Sequence, residues 1–214
     1  MGREFVSLFN DWANDYDQAV TGHDQEYQAV FSKYDEILDA VVSASKGFVV
    51  EFGVGTGNLT KKLVDAGFTV LGVEPSEAMR VKARSKVPDV SVIDGDFIDF
   101  QSPKEQIETF VSSYAFHHLT DEEKQQALLK YHQLLSANGR IVFADTVFTS
   151  EEAKQSIIDE AEKQQFWNLA EDLKTEHYPL KPNLENMLEH AGFDYSFEQL
   201  NPFVWLITAE KRGG

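Results

Sequence analysis

The sequence predicts an α/β fold, a largely parallel sheet with helices on both faces. Three observations predict it. Strand-like apolar runs alternate with helical patterns through the middle of the chain, a glycine-rich turn leaves the first run, and an acid closes the second.

The first run, residues 48–54, is short, apolar and ended by glycines, which marks a buried strand. A helix follows over 58–66 and stops at Gly67. Residues 69–74 form the next strand and 76–86 the next helix. Strands at 90–94 and 108–114 continue the alternation. Thr120 then opens a capping box with Glu123 three residues on. The helix behind it sets Ala127, Leu128, Tyr131, Leu134 and Leu135 on one face. Asn138-Gly139 is expected to end that helix, with a strand over 140–146. A long helix is expected over 150–173, boxed by Thr149 and Glu152, and a short one over 183–190, stopped by Gly192. The chain closes on two runs, 195–200 and 203–209, joined by Asn201-Pro202. So short a link cannot carry a crossover helix, so the two runs pair antiparallel and the sheet is mixed. Residues 1–45 are helical in pattern, with Phe5, Phe9, Trp12 and Tyr16 at three- and four-residue spacing.

Bulk properties exclude several classes. The chain of 214 residues suits one domain, and its net charge of −17, from 19 basic and 36 acidic residues, argues against nucleic acid, which needs a basic footprint. Lys61-Lys62 and the basic residues of 82–86 read as solvated helix faces. No apolar run approaches the roughly 20 residues of a membrane helix, and the N-terminus lacks a basic region followed by an apolar core. With no cysteine, disulfides, thiolate-bound zinc and thiol nucleophiles are excluded. The six histidines show no metal-ligand spacing, so no metal is expected. The expectation is a cytoplasmic protein, monomer or homodimer, with neither a membrane nor a nucleic-acid partner.

The glycine turn carries the chemistry. Gly53, Gly55 and Gly57 let the backbone pass close to a ligand and set a helix N-terminus beside it. Glu74 ends the next strand, where a carboxylate can accept from both hydroxyls of a ribose. A dinucleotide pattern would place its third glycine where Asn58 stands. A pyrophosphate also prefers an uncluttered helix N-terminus, whereas Glu51 brings negative charge toward the turn. The electrostatics favour a cationic ligand such as S-adenosyl-L-methionine over NAD.

The segment Glu51-Phe52-Gly53-Val54-Gly55-Thr56-Gly57 closely resembles the first motif of class I S-adenosylmethionine-dependent methyltransferases. Residues 71–79, Asp94-Gly95-Asp96-Phe97, residues 112–119 and residues 138–143 resemble the later motifs, with Asn138 and Arg140 as departures. The resemblance covers roughly residues 45–147, and the chain as a whole is similar to the small YrrT-type methyltransferases of bacteria. It implies a Rossmann-like, seven-stranded sheet in the order 3-2-1-4-5-7-6, the last strand antiparallel. It divides the single domain 1–214 into a helical lid (1–45), a cofactor core (46–147), a helical insertion lining an acceptor site (148–192) and a terminal hairpin (193–211).

The same resemblance implies residue roles. Gly53, Gly55 and Gly57 would pack on the methionine part of the donor, with Glu51 near its amine. Glu74 would hold the ribose, Asp96 would meet the adenine and Phe97 would flank it. Ser113 and Tyr114 would border the methionine tail, and Tyr16 would lie in the lid. The implied reaction is direct in-line methyl transfer to a small-molecule acceptor, leaving S-adenosyl-L-homocysteine. His117 and His118 are candidates for a general base. The plainer expectation is that one of them packs while the other caps or faces solvent. Phe97 is as much a core candidate as a ring platform. Phe166-Trp167 fits either the core or a substrate pocket. The alternatives are an NAD-dependent oxidoreductase and a protein that binds S-adenosylmethionine without transferring its methyl group.

Overall fold

The structure is a computed structural model that describes Asp17, Val20 and residues 24–213. Its strands are β1 (Phe48–Phe52), β2 (Thr69–Val73), β3 (Ser91–Ile93), β4 (Ile107–Ser113), β5 (Leu135–Thr146), β6 (Phe193–Gln199) and β7 (Val204–Lys211). They form one sheet in the order β3-β2-β1-β4-β5-β7-β6. Strands β1 to β5 pair in parallel, while β7 runs antiparallel to both β5 and β6. The mixed sheet, its order and the closing hairpin are those expected.

Helices cover both faces because consecutive strand residues point opposite ways. From β1, Val50 and Phe52 face a core shared with α4 (Asp121–Leu134) and α7 (Lys181–His190) through Ala127, Leu128, Tyr131, Leu184 and Leu188. Val49 faces the other core, built with α1 (Tyr34–Ala44), α2 (Asn58–Asp65), α5 (Glu151–Lys163) and α6 (Trp167–Thr175). Helix α3 (Glu77–Lys86) closes the β3 side, where Ala83 packs on Val54 and Val92. Among the described residues, no helix is long and apolar enough to cross a membrane.

Two local expectations are corrected. Helix α4 has the anticipated Thr120–Glu123 capping box, but it ends at Leu134, before Asn138-Gly139. Leu135 is already extended and pairs with Ile107, and the register then slips before Thr109 meets Arg140. Burying Leu135 between strands thus starts β5 early, and Asn138-Gly139 falls inside the irregular stretch. The long helix expected over 150–173 is two helices, and its cap is Ser150 rather than Thr149, with the Ser150 side chain accepting from Ala153 N–H. The break is a left-handed C-terminal motif without a glycine. Gln165 takes φ 63°, its N–H donates to Glu162 O, and Phe166 N–H donates to Ala161 O. The turn folds α6 back against α5, so that Ile158, Ala161, Leu169 and Leu173 reach the same core. Phe166 packs at the edge of that core, while Trp167 is largely exposed.

A side chain with a Cβ is strained at a left-handed position, and glycine is not. Gln165→Gly is therefore expected to raise stability by roughly 0.5–1 kcal/mol after its greater unfolded-state freedom is subtracted. A urea titration with an unchanged slope and a higher midpoint is the check.

Candidate active site

The site lies beyond the carboxyl ends of β1, β2 and β4, where the sheet order reverses. Strand β1 runs into three glycines with positive φ, 64° at Gly53, 56° at Gly55 and 89° at Gly57. At Gly53 two constraints coincide. Its N–H donates to Val73 O of β2, and a Cβ there would sit 2.6 Å from the Cβ of Ala115. Glu74 then ties the neighbouring strand ends together. Its carboxylate accepts from Gly55 N–H at 2.9 Å and from Ser76 N–H at 2.8 Å. Burial pushes the Glu74 carboxyl up, and the two backbone donors and Arg80 pull against that.

After β3, Asp96 accepts from the N–H groups of Ile98 and Asp99, which folds the chain into a tight turn. Phe97 follows. Its ring stacks on Phe52 at 5.1 Å and its carbonyl accepts from the Tyr131 hydroxyl at 2.7 Å. Phe97 is thus both core and cavity wall. After β4, Tyr114 takes φ 54° and packs its ring on Phe31 and Tyr34. That left-handed conformation is uncommon for an aromatic residue and turns the chain sharply at the strand end.

Gly53, Gly55, Glu74, Asp96, Phe97, Ser113, Tyr114 and His118 surround one cavity of about 640 Å³, counted with its open mouth. Pro75, Met79, Ala115 and Leu119 complete its lining; they lie in the motif segments 71–79 and 112–119, but nothing in the sequence assigned them an individual role. Three anticipated residues stand off it. Gly57 begins α2, with α3 packed against it at Ala83. His117 lies behind His118. Glu51 is buried on the α2 side, where Thr60 donates its hydroxyl to it at 2.7 Å. Burial raises the Glu51 carboxyl to about 8, against the pull of Thr60 and with a smaller push from Glu74. Tyr16 lies outside the described residues. Its neighbour Asp17 reaches the glycine turn, accepting from Thr56 and Asn58 and pairing with Lys86.

Both histidines are buried, which removes the solvent-facing alternative of the plainer expectation. They occupy a short 3-10 turn, Phe116–His118, held by Asp145 at the end of β5. The Asp145 carboxylate accepts from the N–H groups of Phe116 and His117 and lies 2.6 Å from His117 Nδ1. His117 Nε2 lies 3.2 Å from Glu176, which follows α6, and its ring stacks on Tyr178 at 4.6 Å. Burial opposes a charge on His117, yet the Asp145 and Glu176 carboxylates outweigh it and push the imidazole up to about 10. Burial and the neighbouring His117 push His118 down to about 3. Asp145, Glu176 and Tyr178 were not anticipated, since each reaches the turn from a distant part of the chain.

A family model described as a methyltransferase domain matches residues 49–139. The crystal structure of magnesium protoporphyrin IX methyltransferase from Synechocystis with bound S-adenosylmethionine superposes with a TM-score of 0.67. It covers 97% of both chains at 14% identity, a likeness of fold. The fold is that of the S-adenosylmethionine-dependent methyltransferases. The uncharacterized methyltransferase YrrT of Bacillus subtilis is 54% identical over 99% of this chain and 100% of its own length. An uncharacterized methyltransferase of Oceanobacillus iheyensis is 54% identical over 99% of both. The chain belongs to the methyltransferase family that includes YrrT.

Gly53→Ala is expected to cost about 2 kcal/mol or more, from the left-handed φ and the clash with Ala115 together, read as a lower denaturation midpoint. Glu51 predicts a pH effect. From its ordinary 4.5 up to about 8 the folded chain keeps a proton that the unfolded chain has lost. Stability relative to a Glu51→Gln variant therefore falls as pH rises through that window and is level on either side of it. Paired urea titrations across the range measure the difference.

Proposed function

We infer that the cavity binds S-adenosylmethionine and that the protein transfers its methyl group to a small-molecule acceptor by direct in-line displacement. One observation carries this reading. The cavity is floored by glycines and lined by Glu74 and Asp96, and among the described residues no lysine or arginine lines it. An acid-walled cavity suits a cationic donor and repels a pyrophosphate.

The donor supplies a methyl group on a positively charged sulfur. The chain's own residues bind, orient and exclude water. Glu74 spends one lone pair on each of Gly55 and Ser76, and a carboxylate has further lone pairs for the ribose hydroxyls. Asp96, rigid in its turn, would read the adenine edge, with Phe97 against the ring. The glycine turn would take the methionine tail, with Ser113 and Tyr114 along its side. Glu51, one layer behind the turn, would act through it rather than by contact. The acceptor would enter on the His118 side, beside the segment carrying Glu176 and Tyr178.

Calorimetric titration with S-adenosylhomocysteine tests the reading. Binding is expected, with no heat from NADH. Glu74→Ala is expected to weaken it about 10- to 100-fold, the worth of hydrogen bonds to a charged group. NADH binding in place of S-adenosylhomocysteine would contradict the reading. Donor binding with no methylated product across a broad acceptor panel would leave a binding protein without transfer.

A further inference from the structure

We propose that His117, His118 and Glu176 form a divalent-cation site beside the cavity, of the kind that takes zinc. Their ligand atoms, the two imidazole nitrogens and a carboxylate oxygen, all lie within 4.8 Å of one another. His117 Nε2 is 3.2 Å from one Glu176 oxygen, and His118 Nδ1 is 3.7 Å from the other. Ligands about 2.0 Å from a tetrahedral zinc sit about 3.3 Å apart. The His117–Glu176 separation matches that edge, and the His118 ring would have to close in by some tenths of an ångström to complete the set.

The surroundings are those of a prepared site. Both histidines are buried, and the Glu176 side chain is only 11% exposed. Asp145 holds His117 Nδ1 at 2.6 Å, which fixes the ring and directs Nε2 at the other two ligands. A carboxylate behind a liganding histidine is the common outer-shell arrangement of metal sites. Asp145 is itself fixed by Phe116, His117 and Thr146 N–H groups, and Tyr178 stacks on the His117 ring. Two nitrogens and one oxygen suit a borderline cation such as zinc, and three protein ligands leave a fourth position open.

His118 lines the cavity, so an ion held by the three would sit at its wall, where an acceptor could supply the fourth ligand. A hydroxyl or thiol bound there would lose its proton to solvent. Its lone pair would form the bond to the methyl carbon as the carbon–sulfur bond breaks toward sulfur, leaving a neutral thioether. This use of the ion rests on the methyltransferase reading. The ion site itself does not.

The test uses the full-length protein, stripped with a chelator and titrated with Co²⁺ and Zn²⁺. One equivalent of Co²⁺ is expected to give the visible absorption of a tetrahedral centre, displaced by Zn²⁺. Glu176→Gln and His118→Ala are expected to lose the bound equivalent, with circular dichroism confirming that each variant is folded. His190→Ala, an exposed histidine of α7, is expected to keep it. Asp145→Asn is expected to bind the ion about 10- to 100-fold more weakly. Stripped protein that takes up no Co²⁺ would overturn the proposal and leave a buried ion pair only. So would Co²⁺ uptake that survives both Glu176→Gln and His118→Ala. S-adenosylhomocysteine binding measured on the same samples separates failure of the ion site from failure of the donor reading.

Discussion

One buried carboxylate organises the mouth of this sheet. Glu74 receives N–H groups from the glycine turn after β1 and from the start of α3, so two neighbouring strand ends are locked by a single side chain. Without such a partner the Gly55 N–H would be left to solvent, and the turn, closed otherwise by Gly57 N–H on Val54 O, would lose this tie to the end of β2. Everything the cavity offers depends on this. The turn exposes backbone where a side chain would fill the space, α3 starts where Ser76 can cap it, and Arg80 closes over the outer side through the Glu74 and Pro75 carbonyls.

Asp145 does the same work on the other side of the cavity. It ends β5, one strand over from the turn it controls, and binds that turn through two backbone N–H groups and the His117 ring. The parallel pairing of β4 with β5 is what brings it within reach. His118 is thereby presented to the cavity while His117 is drawn behind it, between carboxylates from β5 and from the chain after α6. Adjacent histidines thus acquire opposite electrostatics, one pushed toward charge and one toward neutrality, because only one lies between two acids.

The parts of this molecule that were legible in the sequence are those specified locally. The glycine turn, Glu74 and the Asp96 turn each follow a strand directly, so position in the chain already gives position in the fold. The closing hairpin was legible because two residues cannot span a crossover. The partners of the histidines were not legible, since Asp145 and Glu176 meet His117 only through sheet pairing and through the fold-back at Gln165. That fold-back was hidden for a local reason, because the left-handed residue is a glutamine where a glycine would have announced it. Glu51 was legible as an acid near the turn, but strand alternation points it at α2 and Thr60 rather than into the cavity.

The charge of the whole chain and that of the cavity agree in sign, and Lys61, Lys62 and Lys86 of the two basic segments are spent on carboxylates. Lys61 pairs with Asp65, Lys62 with Asp35 and Asp39, and Lys86 with Asp17. Glu74 and Asp96 give the cavity its acidic groups, and the glycine turn leaves backbone open to it. The most direct test is a crystal structure of the full chain with S-adenosylhomocysteine. The account predicts the ligand across the ends of β1 and β2, with the Glu74 carboxylate on the ribose hydroxyls and the adenine between Asp96 and Phe97. A ligand lying elsewhere, or a ribose that Glu74 does not touch, would contradict it.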